Sequence, residues 1–101
     1  MSVLKINSEN FNSVASGERL VLIDFYADWC GPCKMMAPII EELAKDEKNA
    51  VIAKVNVDSE AELARRFKIY SIPTIVVLKG GIEVARAVGV KPKEELLDMI
   101  G

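Results

Sequence analysis

Residues 20–34 read LVLIDFYADWCGPCK and join a strand pattern directly to a pair of cysteines and the start of a helix pattern. Leu20–Tyr26 is almost continuously apolar, as expected of a strand that is buried on both faces. Cys30 and Cys33 follow it, and they are the only cysteines in the 101-residue chain. Two thiols separated by two residues at the start of a helix can close into a small disulfide ring and reopen. The stretch therefore predicts a centre for dithiol–disulfide exchange.

Apolar periodicity around this stretch predicts a short strand and two helices. Val3–Ile6 indicates the strand, and Ser8 is placed to cap a helix that ends at Gly17. A longer helix is expected from about Pro32, and Pro38 inside it removes one backbone donor and should bend it. The residues expected on the inner faces of the two helices are Phe11, Val14, Ala15, Met36, Ile39, Ile40 and Leu43.

The second half of the chain predicts a further strand–helix unit, a hairpin and a final helix. Val51–Val57 alternates between two faces, one of which carries the valines. Ser59 and Glu62 match a capping box for a third helix. The remaining segments are hairpin strands Thr74–Lys79 and Ile82–Val88 around Gly80-Gly81, and a last helix with Pro92 in its first turn and Leu96, Leu97 and Ile100 inward.

The resulting order of elements is βαβαβαββα, which predicts an α/β fold in a single domain over residues 1–101. Parallel strands joined by crossover helices account for the first half, and the hairpin adds an antiparallel pair. We therefore expect a central mixed five-stranded sheet flanked by four helices.

Composition restricts the classes of partner. The net charge is −2 with acids and bases interspersed, which favours neither a nucleic-acid partner nor an anionic membrane surface. No apolar stretch approaches the roughly 20 residues that span a bilayer, and residues 1–5 lack the pattern of a secretory signal. We therefore expect a cytoplasmic protein. In a reducing compartment, two close cysteines are more often catalytic or metal-binding than a structural disulfide.

Several segments far from the cysteines extend the pattern. They are Ala37-Pro38, Lys54–Asp58 (KVNVD), Ser71–Thr74 (SIPT), Gly80-Gly81 and Val88-Gly89. A lone C-x-x-C motif is a weak signal, but joined to the preceding strand and the distant Ile-Pro-Thr it is highly specific. With these motifs the chain resembles the thioredoxin family over essentially its whole length. The resemblance implies the thioredoxin fold and a protein-disulfide reductase that needs no organic cofactor and no metal.

The chain departs from the family pattern at two places. Tyr26 stands where many thioredoxins have tryptophan, an exchange of aromatic for aromatic that should be mild. The segment Lys68–Ser71 lacks the glycine expected before Ile72-Pro73. This segment lies beside the expected docking surface, so the departure bears on partner choice and not on the chemistry.

Cys30 is the predicted nucleophile, because unpaired N–H groups and the positive end of the dipole at a helix start favour the thiolate. Cys33 is the predicted resolving thiol, which attacks Cys30 in a mixed disulfide and releases the reduced product. One turn further in, it should be the more buried and less acidic of the two. Gly31 and Pro32 shape the turn between them, and within the family this dipeptide resembles the reducing end of the redox range.

Asp24 interrupts the buried run of the second strand. Burial should raise the pKa of this carboxyl, and the resemblance implies that it accepts or relays the Cys33 proton. The alternative is a buried acid satisfied by local hydrogen bonds. Lys54 lies on the face of its strand opposite the valines, so it can approach Asp24 and tune it electrostatically. The alternative for Lys54 is an exposed lysine on a strand.

The resemblance also implies a docking surface around the cysteines. Pro73 corresponds to the cis-proline of the family, and a cis bond would leave the Ile72 backbone exposed beside Cys30 for pairing with an extended substrate. An apolar rim of Trp29, Pro32, Val88, Gly89 and Val90 is expected around the dithiol. The partners implied are disulfide-containing client proteins and a thioredoxin reductase, and a monomer is expected.

Three other interpretations use the same residues differently. Two chains can share a zinc ion or an iron–sulfur cluster, since two cysteines without histidine cannot supply four ligands within one chain. A binding module with this fold need not turn over at all. A disulfide oxidase or isomerase is disfavoured by the Gly31-Pro32 dipeptide and by the lack of a signal pattern.

Overall fold

Strands and helices alternate along the chain in a computed structural model that describes residues 2–101; Met1 lies outside the described residues. In chain order the elements are β1 (Leu4–Lys5), α1 (Phe11–Ala15), β2 (Leu20–Tyr26), α2 (Gly31–Asp46), β3 (Ala50–Asn56), α3 (Ala61–Arg66), β4 (Thr74–Lys79), β5 (Ile82–Val88) and α4 (Lys93–Ile100). The predicted order βαβαβαββα is confirmed.

The five strands form one mixed sheet in the spatial order β1-β3-β2-β4-β5. β1, β3 and β2 are mutually parallel, and β4 runs antiparallel to both β2 and β5. β2 is therefore the central strand and is paired along both edges. Its carboxyl end at Tyr26 leads directly into the cysteine turn, so the cysteines are carried by the centre of the sheet.

Each face of the sheet is covered by one apolar core. On one face, Phe11 of α1 and Leu63 of α3 pack with Ile23 and Phe25 of β2. On the other face, side chains of α2 and α4 pack with the strand side chains that alternate with those of the first core. This second core includes Leu22, Met36, Ile40, Leu43, Ile52, Ile75 and Leu96. The continuous apolar run of β2 is thus explained, because its successive side chains enter two different cores.

Strand periodicity places Asp24 and Lys54 on the α2 side of the sheet. Asp24 has the same parity as Leu22, and Lys54 the same parity as Ile52, and both of those residues belong to the core under α2. Asp24 and Lys54 are also direct partners in the parallel pairing of β2 with β3. The expected separation of Lys54 from the valine face of β3 is confirmed by this arrangement.

Both predicted helix caps are wrong, for the same physical reason. The N-cap of α1 is Asn10 and that of α3 is Glu60, and neither makes a side-chain cap, so Ser8 does not cap α1. Instead, the Asn7 side chain accepts the N–H groups of Glu9 and Asn10 at 2.9 and 2.8 Å. An asparagine that closes its own turn satisfies the backbone donors that the caps would have taken.

The same turn replaces the capping box of Ser59 and Glu62. Asn56 Oδ1 accepts the N–H groups of Asp58 and Ser59 at 2.9 and 3.3 Å, two and three positions after Asn56. Glu62 instead pairs with Arg65 on the surface of α3. Asn56 ends β3 and Asn7 follows β1, so two neighbouring parallel strands are each followed by a turn of the same kind, closed by an asparagine side chain.

The remaining differences are shifts of element ends. β1 covers Leu4–Lys5 where Val3–Ile6 was predicted, and β3 covers Ala50–Asn56 where Val51–Val57 was predicted. α2 begins at Gly31, one residue before the predicted start, because Cys30 itself is the N-cap. α4 begins at Lys93, since Pro92 takes the N-cap position and not the first turn. Pro38 lies within α2 as expected.

Candidate active site

The cysteine pair sits where β2 passes into α2. After Tyr26 the chain turns, and the Cys30 N–H donates to the Ala27 carbonyl at 3.3 Å. Cys30 has an extended backbone (φ −88°, ψ 115°), as a helix N-cap requires, and Cys33 lies in the first turn. The two are joined in a disulfide with their Cα atoms 5.2 Å apart. The centre of the sheet thus presents the dithiol at the N-terminus of a 16-residue helix.

Cys30 Sγ takes the place of a capping oxygen. The Cys33 N–H donates to this sulfur at 3.2 Å, and the Lys34 N–H donates to the Cys30 carbonyl at 3.2 Å. A negative charge on Sγ would be stabilised by this donor and by the helix dipole behind it. The arrangement favours a thiolate at Cys30 once the disulfide is reduced.

Burial separates the two cysteines less than expected. Cys30 is 4% exposed and Cys33 is 3% exposed, and both pack with Ala27. The difference lies in their surroundings. Cys30 Sγ lies 3.8 Å from the carbonyl oxygen of the partly exposed Ile72, whereas Cys33 lines a cavity together with Asp24.

The backbone beside Cys30 belongs to the Ser71–Thr74 segment, in which Ile72 makes the contact. The Ile72–Pro73 peptide bond is cis. The Thr74 hydroxyl donates to the Ser71 carbonyl at 2.6 Å, and the Gly89 N–H donates to the Pro73 carbonyl at 2.8 Å. The Gly89 backbone has φ 94°, a conformation that residues with a side chain rarely adopt. These bonds bring the ends of β4 and β5 against the cysteine turn.

An exposed rim surrounds the sulfurs. Trp29 is 71% exposed, Val88 51% and Val90 37%, and Gly31 and Pro32 are exposed as well. The Trp29 indole N–H donates to Asp58 Oδ2 at 2.8 Å, which holds the ring in place. Asp58 was not among the site residues expected from the sequence. Its presence in the KVNVD segment was the available signal, but nothing local links it to a tryptophan 29 positions earlier.

Asp24 is a buried carboxyl, 4% exposed, beneath the dithiol. Burial raises its pKa from the ordinary value of 3.8 to about 7, and the nearby charge of Lys54 opposes part of that rise. Its Oδ1 atom has no hydrogen-bond partner among the residues that the structure describes. Local hydrogen bonds therefore do not satisfy this oxygen, contrary to the alternative interpretation of Asp24.

A small cavity connects the acid with the second cysteine. It has a volume of about 60 Å³, and Asp24, Cys33, Lys54, Tyr26 and Glu41 contribute to its lining. A space of this size has room for a water molecule between polar groups. The Lys54 ammonium also lies 5.7 Å from the centroid of the Tyr26 ring. The cavity therefore brings together Asp24, Cys33 and Lys54, the predicted proton acceptor, resolving thiol and tuning cation.

Within residues 2–101 there is no group of three or more His, Cys, Asp or Glu side chains that could hold a metal ion. No helix in the same range is long and apolar enough to cross a membrane.

The chemistry that the arrangement supports is thiol–disulfide exchange at Cys30 with Cys33 and Asp24 behind it.

Comparison with known proteins gives the same family throughout. The sequence model of the Thioredoxin family matches residues 2–101. Thioredoxin of Chlamydia pneumoniae is 50% identical over 96 residues, covering 94% of this chain and 92% of that protein. The bifunctional thioredoxin reductase/thioredoxin of Mycobacterium leprae is 49% identical over 88 residues, which cover 86% of this chain and 19% of that protein.

Solved structures agree with the sequence comparison. A single-site mutant of thioredoxin from Halobacterium salinarum NRC-1 superposes with a TM-score of 0.90 at 37% identity, covering 98% of this chain and 88% of that one. The matches run through the cysteine pair and span nearly the whole fold. The chain therefore belongs to the thioredoxin family and is a thiol–disulfide oxidoreductase whose redox group is its own cysteine pair, with no external cofactor.

Proposed function

We propose that Cys30 is the nucleophile and Cys33 the resolving thiol in the reduction of protein disulfides. The observation that carries this assignment is the position of Cys30 Sγ, which caps α2, accepts the Cys33 N–H and lies 3.8 Å from the Ile72 carbonyl oxygen. Cys33 instead lines the cavity that it shares with Asp24 and Lys54.

The steps conserve atoms and electrons. The Cys30 thiolate attacks one sulfur of the substrate disulfide, and the other substrate sulfur leaves as a thiolate. Cys33 then loses its proton and attacks Cys30 Sγ, which forms the Cys30–Cys33 disulfide and releases the second substrate sulfur. Two electrons pass from the cysteine pair to the substrate, and the released thiolates take up protons.

Asp24 receives the Cys33 proton in the second step. Asp24 and Cys33 line the same cavity, and a carboxyl with a pKa of about 7 is partly ionised at neutral pH. It can therefore accept a proton when Cys33 attacks and release it afterwards. Lys54 acts on this step through Asp24, because its charge favours the ionised carboxyl.

Catalytic turnover that requires both cysteines distinguishes a disulfide reductase from a binding module with the same fold. The measurement is the reduction of insulin by dithiothreitol with and without catalytic amounts of protein. We expect clear acceleration by the wild type and none by the variant with both Cys30 and Cys33 replaced by serine. A wild type that binds clients but does not accelerate the reaction would contradict the proposal.

Lys54→Met tests the electrostatic role of the lysine. Removing the ammonium should raise the pKa of Asp24 beyond about 7, because the charge that opposes burial is lost. The pH midpoint of the resolving step, followed by stopped-flow decay of a mixed disulfide, should move upward. Lys5→Met is the matched control, since Lys5 pairs with Lys54 on the next strand but lies one strand further from Asp24. An equal midpoint in wild type and Lys54→Met would show that Lys54 has no such role.

Substrates dock along the Ile72 backbone and the rim of Trp29, Pro32, Val88, Gly89 and Val90. Exposed apolar side chains and a free backbone edge bind many polypeptides with little dependence on sequence. The partners are disulfide-containing proteins and a thioredoxin reductase. Support for the reductase comes from the Mycobacterium leprae relative, in which the two activities share one polypeptide by name.

The same proposal includes a cytoplasmic monomer in one domain over residues 1–101. A dithiol reductase must be recharged, and a reducing compartment supplies the electrons. Two apolar cores cover the two faces of the single sheet, so the fold needs no second copy to bury its interior.

A further inference from the structure

Arg86 on β5 makes contacts well away from the sulfurs. Its guanidinium holds the Glu83 carboxylate in a fork, with Nε to Oε2 and Nη2 to Oε1 both 2.8 Å. From there, Nη2 donates to the Phe67 carbonyl at 2.6 Å, and Nη1 makes a longer contact of 3.5 Å with the Lys68 carbonyl. Charge-assisted bonds of this kind are strong and directional. Glu83 therefore aims Arg86 at the end of α3.

The two carbonyls that Arg86 contacts flank the Cα atom of Lys68. The Lys68 backbone has φ 55°, and it is the one residue other than glycine with a positive φ among those described. A side chain disfavours this left-handed conformation. Because Phe67 C=O and Lys68 C=O belong to the peptide groups on either side of that Cα atom, the guanidinium holds one of the two planes by a short bond and contacts the other. Arg86 thereby adds to the backbone bonds at the end of α3, Lys68 N–H to Arg65 C=O and Ile69 N–H to Ala64 C=O, which hold the same conformation.

The left-handed residue starts the segment that ends at the active site. Ile72, four positions later, places its carbonyl 3.8 Å from Cys30 Sγ. At the near end, the Ile69 N–H donates to the Ala64 carbonyl at 2.9 Å. At the far end, the Gly89 N–H holds the Pro73 carbonyl. β5 thus supplies a donor at one end of a short loop through the Arg86 side chain, and the Gly89 backbone that follows β5 supplies a donor at the other.

We propose that Arg86, oriented by Glu83, is a positioning residue that sets the Ile72 backbone for pairing with polypeptide substrates. This inference rests on the proposed docking of substrates at Ile72. A rotation at Lys68 displaces the Ile72 edge, and an extended chain that must align its hydrogen bonds with that edge then binds less well. A small aromatic disulfide reacts at Cys30 without pairing to the backbone. Arg86 therefore favours protein disulfides over small ones.

A purely structural salt bridge would behave differently. Losing it would lower the stability of the hairpin and leave the two classes of substrate equally affected. The ratio of kcat/KM for a protein disulfide to kcat/KM for a small disulfide separates the two roles, because it does not depend on the fraction of folded protein.

The experiment measures that ratio with insulin and with 5,5′-dithiobis(2-nitrobenzoate) for wild type and Arg86→Met. We expect the ratio to fall about five-fold or more, through a higher KM for insulin, with the small disulfide changed less than about two-fold. Arg65→Met is the matched control. It removes the same charge from a pair with Glu62 whose side chains are 71% and 87% exposed, and it should leave the ratio unchanged.

Lys68→Gly provides the rescue. Glycine adopts the left-handed conformation without support, so Lys68→Gly combined with Arg86→Met should recover at least half of the lost ratio. Arg86→Lys keeps the charge but removes the planar fork of donors, so it should also lower the ratio, with a smaller change to the fold. An unchanged ratio in both Arg86 variants, or a ratio lost equally with and without Lys68→Gly, overturns the proposal. A wild type inactive on both substrates overturns the proposed nucleophile as well, which distinguishes the two failures.

Discussion

Cys33→Ser should convert the protein from a catalyst into a trap. Cys30 can still attack a substrate disulfide, but no second thiol is present to release it, so a mixed disulfide at Cys30 accumulates. Cys30→Ser should instead reduce turnover to the rate of the dithiol alone, because a serine hydroxyl is far less nucleophilic than a thiolate at neutral pH. The asymmetry follows from the geometry, in which Cys30 Sγ caps α2 beside Ile72 and Cys33 lies over the cavity.

Mass spectrometry of each variant after exposure to an oxidised client measures the outcome directly. The expected adduct has the mass of one client joined to Cys33→Ser through Cys30, and it should dissociate on addition of dithiothreitol. Cys30→Ser, which has the same composition, serves as the matched control and should form no adduct. An adduct formed mainly through Cys33 would reverse the assigned roles.

Asp24→Asn should make the protein more stable above neutral pH. It should also remove the fall in the free energy of unfolding that Asp24 causes as pH rises from about 4 to about 7. The folded-state pKa of Asp24 is about 7 and the ordinary value is 3.8, so between these values the folded state keeps a proton that the unfolded state has lost. Stability is then fully present below about pH 4 and falls as pH rises toward 7. The difference corresponds to about 4 kcal/mol as an order of magnitude, which sets the upper limit for the gain at pH 8.

Urea unfolding of the oxidised protein between pH 4 and pH 8 tests this expectation. The curves of Asp24→Asn and wild type should diverge progressively across that range, and the difference cancels contributions from acids common to both. Asp28→Asn, which removes an exposed acid four residues later, should remain parallel to wild type. Parallel curves for Asp24→Asn would mean that Asp24 is ionised in the folded protein across the whole range.

Strand patterns were more predictable than helix ends, and particular residues show why. The continuous apolar run of β2 reports burial on two faces. The alternation of β3 separates its valine face from the face that carries Ile52 and Lys54, and burial dominates strand placement. Ser8 and Ser59 are of a residue type that is favoured at helix N-caps. Asn7 takes the Asn10 N–H that Ser8 would have accepted, and the Ser59 hydroxyl donates to the Asn56 carbonyl instead of accepting from the helix. Short-range hydrogen bonds of this kind compete on nearly equal terms.

The candidate site shows a similar division. The cysteine spacing and the buried acid were evident because each is unusual within its local pattern, a C-x-x-C at a helix start and an aspartate in an apolar strand. The Trp29–Asp58 bond and the Arg86 contacts join positions 29 and 19 residues apart. Nothing in the local composition distinguishes Asp58 or Arg86 from other surface charges, so only the folded backbone reveals them.

Access to a single sulfur, Cys30 Sγ, sets the kinetics that we expect for the proposed cycle. A client and a reductase must both reach the same sulfur, which is 4% exposed and framed by one rim, so the two cannot be bound productively together. Electrons enter and leave through the same sulfur at different times. From the proposed cycle we expect double-displacement kinetics, in which excess reduced client competes with the reductase for Cys30.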